Sequence, residues 1–260
     1  MLQVPAPVAE ALTRFAEVSR RLALWEAATL SGAVSPRLVP DLRLVALTFW
    51  TDLMNGTLIQ HGEFSIMRAL AGYALAAVVG TAIGLAMARS RLARDFVEPI
   101  FLFGYPIPKI ALFPVFAFVF GFGTPSKIAF VFLECLYPIA ITTYFGFLQV
   151  PRSHIWAAQS MGASRATVLR RVMVPAALPQ IFSGLRIALP IAIVVVIITE
   201  MIGDTTGLGF YITNAAVSFK YPAVYAGIAA VAILGFAFDR LFALLRNRVI
   251  HWERQHLALY

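Results

Sequence analysis

Residues 156–202 read WAAQSMGASRATVLRRVMVPAALPQIFSGLRIALPIAIVVVIITEMI, and the two halves of this stretch decide the fold. The second half, from Leu185 to Ile202, is an apolar run long enough to cross the ~30 Å hydrocarbon layer as a helix. The first half, Trp156 to Pro179, is a basic loop built as helix, break and second helix. Ala157 and Ala158 offer a small surface that another backbone can approach closely. Gly162 can take the left-handed conformation that ends a helix. Ser164 is placed to cap the next one, and Pro175 is expected to help terminate it. A short helical hairpin on such a loop implies a partner that receives it. The alternative is an amphipathic helix lying on lipid headgroups.

Composition agrees with a membrane bundle. Of 260 residues, 60% are hydrophobic and only 13% charged. The mean hydropathy is +0.81. Such values exclude an ordinary soluble domain and make a polytopic membrane protein the expectation. The single cysteine, Cys135, lies in an apolar run, cannot form an intrachain disulfide and does not report a compartment. The N-terminus, MLQVPAPVAEALTRFAEV, lacks the basic-then-apolar layout of a cleaved signal peptide.

Five segments read strongly as spans: Ser65–Ala88, Pro99–Phe122, Lys127–Leu148, Leu185–Ile202 and Ala223–Leu245. A sixth, Leu22–Val34, is short and carries Glu26, so it reads as a weak span or a half-inserted helix. The expected fold is therefore an all-α polytopic membrane bundle, with five strong spans and one weak N-terminal span. Its division is an N-terminal segment over residues 1–64, a transmembrane domain over 65–252 and a tail over 253–260. The outer connection Ser35–Phe64 is expected to include an interfacial helix around Pro40–Leu53. The segment Gly203–Tyr221 is expected to re-enter on its glycines and to form a short helix over Phe210–Val217.

Basic residues orient the spans, because cytoplasmic loops retain an excess of Lys and Arg. With the N-terminus inside and every segment crossing, the inner loops hold Arg14, Arg20 and Arg21, then Arg89, Arg91 and Arg94. They also hold Arg152, Arg165, Arg170, Arg171 and Arg186 on and around the Trp156–Pro179 loop, and Arg240, Arg246, Arg248 and Arg254 at the C-terminal end. The outer side keeps Arg37, Arg43, Arg68, Lys127 and Lys220, and Lys109 lies within the membrane. The formal charge of +8 is thus explained by topology, and no nucleic acid partner is needed.

The loop also resembles the cytoplasmic EAA loop of ABC-importer permeases, whose pattern is E-A-A-x3-G-x9-I-x-L-P. Ala157, Ala158, Gly162 and Pro175 match in spacing, with Val172 and Val174 at the Ile and Leu positions. Trp156 stands where the family has Glu. Beyond the loop, Tyr105-Pro106-Ile107-Pro108-Lys109 followed by Leu112-Phe113-Pro114 is similar to the broken third span of the sulfonate, taurine, nitrate and bicarbonate importer subgroup. So are Pro138-Ile139 and Glu200-Met201-Ile202-Gly203 with Gly207-Leu208-Gly209. The resemblance covers about Ser65 to Trp252.

The resemblance implies a coupling helix that docks on an ATPase subunit through Trp156, Ala157, Ala158, Ser160, Met161, Gly162, Ala163, Ser164 and Arg165. It further implies two cytoplasmic ATPase subunits that bind ATP and Mg, an external solute-binding protein and a second permease copy. The setting would be the lipid bilayer of a bacterial inner membrane, with both termini cytoplasmic. The chain itself would carry no catalytic group, no metal and no cofactor. The sequence shows no Walker-type glycine loop and no nucleophile elbow, and His61, His154, His251 and His256 are scattered at membrane edges.

Ionisable groups inside a membrane are costly and usually face the bundle interior or water. Glu134 lies roughly 10 Å below Lys127 along a helix, with Tyr137 and Pro138 beside it. It is either a polar group of the transport path or a structural carboxylate bonded to a neighbouring helix. Lys109 follows two prolines in a segment that cannot be regular helix throughout. It is either an electropositive point for an anionic solute or a lysine snorkelling to the interface. Glu200 lies roughly 21 Å beyond Arg186, at the outer end of its span, where a gate or structural role is expected. Hinge candidates are Pro106, Pro108, Pro190, Gly203, Gly207 and Gly209. Phe113, Phe116 and Phe120 read as packing in preference to an aromatic gate, and Gly72, Gly80 and Gly84 as a close helix contact.

The functional expectation is the membrane subunit of an ABC importer for a small anionic or zwitterionic solute, sulfonate- or taurine-like. Its rivals are the same machinery carrying a heteroaromatic vitamin precursor, a secondary transporter coupled to protons through Glu134, and a membrane scaffold without transport.

Overall fold

The computed structural model describes residues 39–104 and 107–252 throughout, and residues 16, 17, 19, 20, 23–27, 29, 31 and 35 before them. Much of the weak segment Leu22–Val34 lies outside these residues, as do the hinge candidate Pro106 and the tail 253–260. Helix α1, Leu42–Met54, begins where the Asp41 carboxylate accepts the Arg43 backbone N–H at 2.7 Å, and it matches the helix expected over these residues. Helix α2 runs over Thr57–Arg89. It starts earlier than the expected Ser65, because its first turns carry Gln60, His61 and Glu63, whose polarity hides them from a search for apolar runs.

The expected span Pro99–Phe122 is a broken one. Helix α3, Arg91–Gly104, and the helical stretch Lys109–Phe120 are turned by 93° from each other. The second stretch opens with a 3-10 turn, Lys109–Leu112, preceded by Pro108, and continues as α4, Phe113–Phe120, with Pro114 in its first turn. Proline fits the first turn of a helix and cannot continue one, so the two prolines start a new helix here.

Helix α5 is Thr124–Leu148 and α6 is Arg152–Ser160. Helix α7, Arg165–Met201, is continuous, and this corrects the expectation that Pro175 ends the second helix of the loop. A π turn over Leu169–Met173 precedes Pro175, which sits in the first turn of the next α-helical stretch. The wider turn relocates the backbone bonds so that the missing proline N–H falls where no partner is required. Helices α8, Leu208–Val217, and α9, Tyr221–Val249, complete the chain.

Among the described residues four helices are long and apolar enough to cross a membrane: α2, α5, α7 and α9. Taken together as one span, the bent pair would make a fifth. The chain is thus an all-helical membrane bundle, as its composition requires.

Two compact units divide the chain. One comprises Met1–Ile59 with Tyr211–Ala230, the other Gln60–Phe210 with Val231–Tyr260. In the first, Tyr211 donates its hydroxyl to Asp52 at 2.5 Å, and Trp25 packs edge-on against Tyr225. In the second, α5 and α7 form the most extensive helix pairing, and α2 lies against α5. Lipid offers little hydrophobic drive between helices, so close approach at small residues matters more. A Cβ on Gly84 would stand 2.5 Å from the Ala140 carbonyl oxygen, and one on Gly72 2.7 Å from that of Ile128. Gly72, Gly80 and Gly84 of α2 thus serve a contact within the chain. Phe113 and Phe116 pack edge-on against Phe130, at 5.5 and 5.4 Å between ring centres, so this part of the aromatic stripe is core.

Candidate functional site

The second unit holds a buried quartet of charges where α2, α5 and the end of α7 meet. Arg68 lies one turn beyond Ser65 on α2, Lys127 lies in the first turn of α5, and Glu200 and Asp204 flank the end of α7. Arg68 Nη1 is 2.9 Å from Glu200 Oε1 and 2.9 Å from Asp204 Oδ2. Lys127 Nζ is 2.8 Å from Asp204 Oδ2. The four side chains are 0–7% exposed.

The quartet is neutral, and nearly every remaining valence is filled. Arg68 also donates to the Thr124 hydroxyl at 3.1 Å, the Thr206 hydroxyl at 2.8 Å and the Thr206 carbonyl at 3.1 Å. Glu200 Oε2 accepts from the Ser65 hydroxyl at 2.7 Å and from the Gly209 N–H at 3.1 Å. Ser65 in turn accepts the Leu208 N–H at 2.8 Å, and His61 Nδ1 accepts the Gly207 N–H at 3.1 Å. Asp204 Oδ2 is held by two cations as ion pairs, without an aligned hydrogen bond.

Burial raises the Asp204 carboxyl. The close contact with the Lys127 ammonium, the Thr205 N–H and the charge of Arg68 outweigh that, and hold it below the ordinary carboxylate range. Charges buried this deeply are tolerated only when paired and hydrogen-bonded. Gly207 is essential to the packing. Its φ is +101°, and a Cβ there would collide with the Glu200 carboxylate.

A second charged group lies elsewhere in the same unit and is built differently. Lys109 Nζ stands 3.7 Å from Glu134 Oε2, with the side chains 19% and 17% exposed. Lys109, Leu112, Leu133, Leu136 and Tyr137 help line a cavity of about 210 Å³. Phe101 and Tyr137 meet edge-on, 5.2 Å between ring centres. Both rings also line a second cavity of about 150 Å³, which includes Glu98 and Tyr144. The ring pair therefore forms a wall between the two spaces.

The third region is the exposed turn. Helix α6 ends on Gly162 at φ +81°, and the Ala163 N–H reaches the Ala158 carbonyl at 3.0 Å while the Gly162 N–H reaches that of Gln159 at 2.9 Å. This is the paired bonding of a Schellman turn. Ser164 then caps α7, accepting the Thr167 N–H at 3.2 Å. Ala158 is buried and Ala163 half-buried, while Ala157, Ser160, Ser164 and Arg165 are exposed. Trp156 is 61% exposed and Met161 81%. Two large apolar side chains thus stand free beside an arginine.

Of the residues singled out in the sequence, the structure brings Lys109, Glu134 and Tyr137 together. It draws Glu200, Gly207 and Gly209 into the quartet. Gly203, at φ +77°, begins the turn after α7, and Pro108 starts the 3-10 turn. Pro190 lies on the exposed face of α7, which remains one helix through it. Sequence reading missed Arg68, Lys127, Asp204, Ser65 and Phe101. It assigned Arg68 and Lys127 to the outer flanks as topology markers and missed that both side chains are buried against acids, Arg68 against Glu200 and Asp204 and Lys127 against Asp204. The available signal was the equal number of acids and bases gathered at one end of three spans.

Residues 79–251 match the family described as binding-protein-dependent transport system inner membrane component. The chain is 35% identical over 234 residues to the taurine transport system permease protein TauC of Escherichia coli strain K12, covering 88% of this chain and 85% of that one. It is 30% identical over 236 residues to the formylaminopyrimidine transport permease protein ThiX of Halalkalibacterium halodurans, covering 90% and 93%. A solved structure of inward-facing MetNI, a methionine ABC transporter, aligns with a TM-score of 0.63 at 19% identity, over 72% of this chain and 93% of that chain. That likeness concerns the fold.

Proposed function

The chain belongs to the family of binding-protein-dependent transport system inner membrane components, and on that premise we propose that it moves a small zwitterionic or anionic organic solute, taurine-like in its chemistry, inward across a bacterial inner membrane. It is the multi-pass permease subunit of an ABC importer, a transporter component and not an enzyme. ATP and Mg would be bound by two cytoplasmic ATPase subunits. An external binding protein would deliver the solute to a dimer of permeases.

The observation that carries the mechanism is the continuity of α7. The 37-residue helix Arg165–Met201 starts at the exposed turn and ends on the buried quartet. The turn offers Trp156, Met161 and Arg165 to an ATPase subunit. Closure of the ATPase dimer would push the turn, and α7 would carry the displacement to Glu200, where the outer segment Gly203–Gly209 is fastened. Alternating access follows from loosening and remaking that fastening.

The solute class is supported by the 35% identity to TauC. A heteroaromatic vitamin precursor is the second reading, favoured by the likeness to ThiX. The discriminating experiment is ATP hydrolysis by the permease reconstituted with its ATPase and binding protein. Taurine or a short sulfonate is expected to stimulate it selectively. Stimulation by pyrimidine precursors alone replaces the first reading with the second. Uptake driven by a pH gradient with no ATPase present overturns the importer mechanism.

A further inference from the structure

We propose that Lys109 and Glu134 are the two poles of a binding subsite for a small zwitterion, a solute with one anionic and one cationic group a few atoms apart. This rests on the import reading above.

The two groups sit opposite each other at 3.7 Å, beyond hydrogen-bond reach, and each keeps about a sixth of its side-chain surface open. Lys109 lines the 210 Å³ cavity, whose walls are otherwise mostly aliphatic and aromatic. The ring pair Phe101–Tyr137 bounds that cavity on the side of the second space. The volume falls below the roughly 300–1,000 Å³ common for drug-sized ligands, and so suits a solute of few heavy atoms.

Charge exchange explains the preference. A zwitterion can place its sulfonate or carboxylate on Lys109 and its ammonium on Glu134. Both protein charges then stay neutralised, and the pair separates without leaving a charge stranded at low dielectric. A simple anion that takes Lys109 leaves Glu134 unpaired beside another negative group. A simple cation does the converse. The site thus discriminates by repulsion as well as attraction. Apolar walls receive the methylenes between the two poles.

The test compares wild type with Lys109→Gln, Glu134→Gln and the paired variant Lys109→Met with Glu134→Gln. The same ATPase and binding protein are used throughout, so any change belongs to the permease. The readouts are the half-saturating concentration for taurine uptake and the uptake ratio of taurine to ethanesulfonate, which lacks the amine. The paired variant leaves no buried charge unpaired and so assembles even where a single change does not. We expect its half-saturating concentration to rise at least tenfold and its ratio to fall towards one. Glu134→Gln alone should lower the ratio, with ATPase co-purification retained. Taurine uptake by the paired variant with wild-type half-saturation and ratio overturns the subsite and leaves the import reading intact. A wild-type assembly stimulated by simple anions and not by zwitterions overturns the subsite alone, and one stimulated by neither class overturns both.

Discussion

Two sets of opposite charges stand in the same helical unit, and they are built to different ends. In the quartet, Arg68 and Lys127 contact Glu200 and Asp204 at 2.8–2.9 Å, with no more than 7% of any side chain exposed. Backbone and hydroxyl donors fill the remaining positions. In the pair, Lys109 and Glu134 stand at 3.7 Å, and Lys109 lines an open cavity. A closed network has no vacancy for a solute and can only hold or release. A loose pair beside a cavity can exchange partners. Chemical identity alone separates neither role; packing and burial do.

The sharpest way to break this comparison is to remove one member of the closed network. Arg68→Met strands the Glu200 carboxylate, which keeps only the Ser65 hydroxyl and the Gly209 N–H. The expected loss is about 3–5 kcal/mol, the usual result of leaving a buried ion without its partner. It should appear as a large fall in melting temperature of the detergent-purified protein. Adding Glu200→Gln in that background should recover part of the loss, since the stranded charge is then gone. A loss below about 1 kcal/mol in Arg68→Met would mean that the network is not closed, and the contrast between the two clusters would fail.

Acid probes the same network with a smaller effect. The Asp204 carboxyl is held below its ordinary value against the opposing pull of burial. A depressed carboxyl contributes stability that is fully present above the unfolded value, near 3.9, and is lost as pH falls through the folded one. The wild-type melting temperature should therefore fall more steeply below about pH 4 than that of Asp204→Asn. Near neutral pH, Asp204→Asn itself should cost about 1–3 kcal/mol, because Lys127 then keeps only the carbonyls of Phe122 and Gly123. Parallel acid profiles in the two proteins would remove Asp204 from the network.

The comparison also shows what a sequence makes legible. Span placement follows from apolar length, and the exposed turn follows from local rules. Gly162 at positive φ and Ser164 at the cap are where the spacing puts them, because both features depend only on neighbours in the chain. The helix after Ser164 outran its expected end at Pro175, since a π turn can absorb a proline and no local rule announces one. The quartet was invisible for a different reason. Ser65, Arg68, Lys127, Glu200 and Asp204 are far apart in sequence, and a cation at the edge of an apolar run looks the same whether it faces water or a buried acid. Positive-inside counting treated Arg68 and Lys127 as markers of topology, when each is the partner of an acid on α7 or just beyond it. Lys109 and Glu134 were legible as costly residues, but their meeting depends on the bend between α3 and α4, which fixes where the 3-10 turn lies.

The smallest expected effect decides whether the loose pair contributes to the scaffold at all. A double-mutant cycle over Lys109→Met and Glu134→Gln measures the coupling between them. Partly open groups at 3.7 Å are screened and pay rotamer entropy to stay together, so the coupling should be about 1 kcal/mol or less. The paired variant should melt close to wild type, because removing both charges leaves nothing stranded. The corresponding cycle over Arg68→Met and Glu200→Gln should give a coupling several times larger, because both groups are desolvated and share hydrogen-bonded neighbours. Equal couplings in the two cycles would make Lys109 and Glu134 a second structural clamp. Unequal couplings would mean that this chain carries a weak ion pair inside a membrane where it adds almost nothing to the fold, a cost that stability alone does not explain.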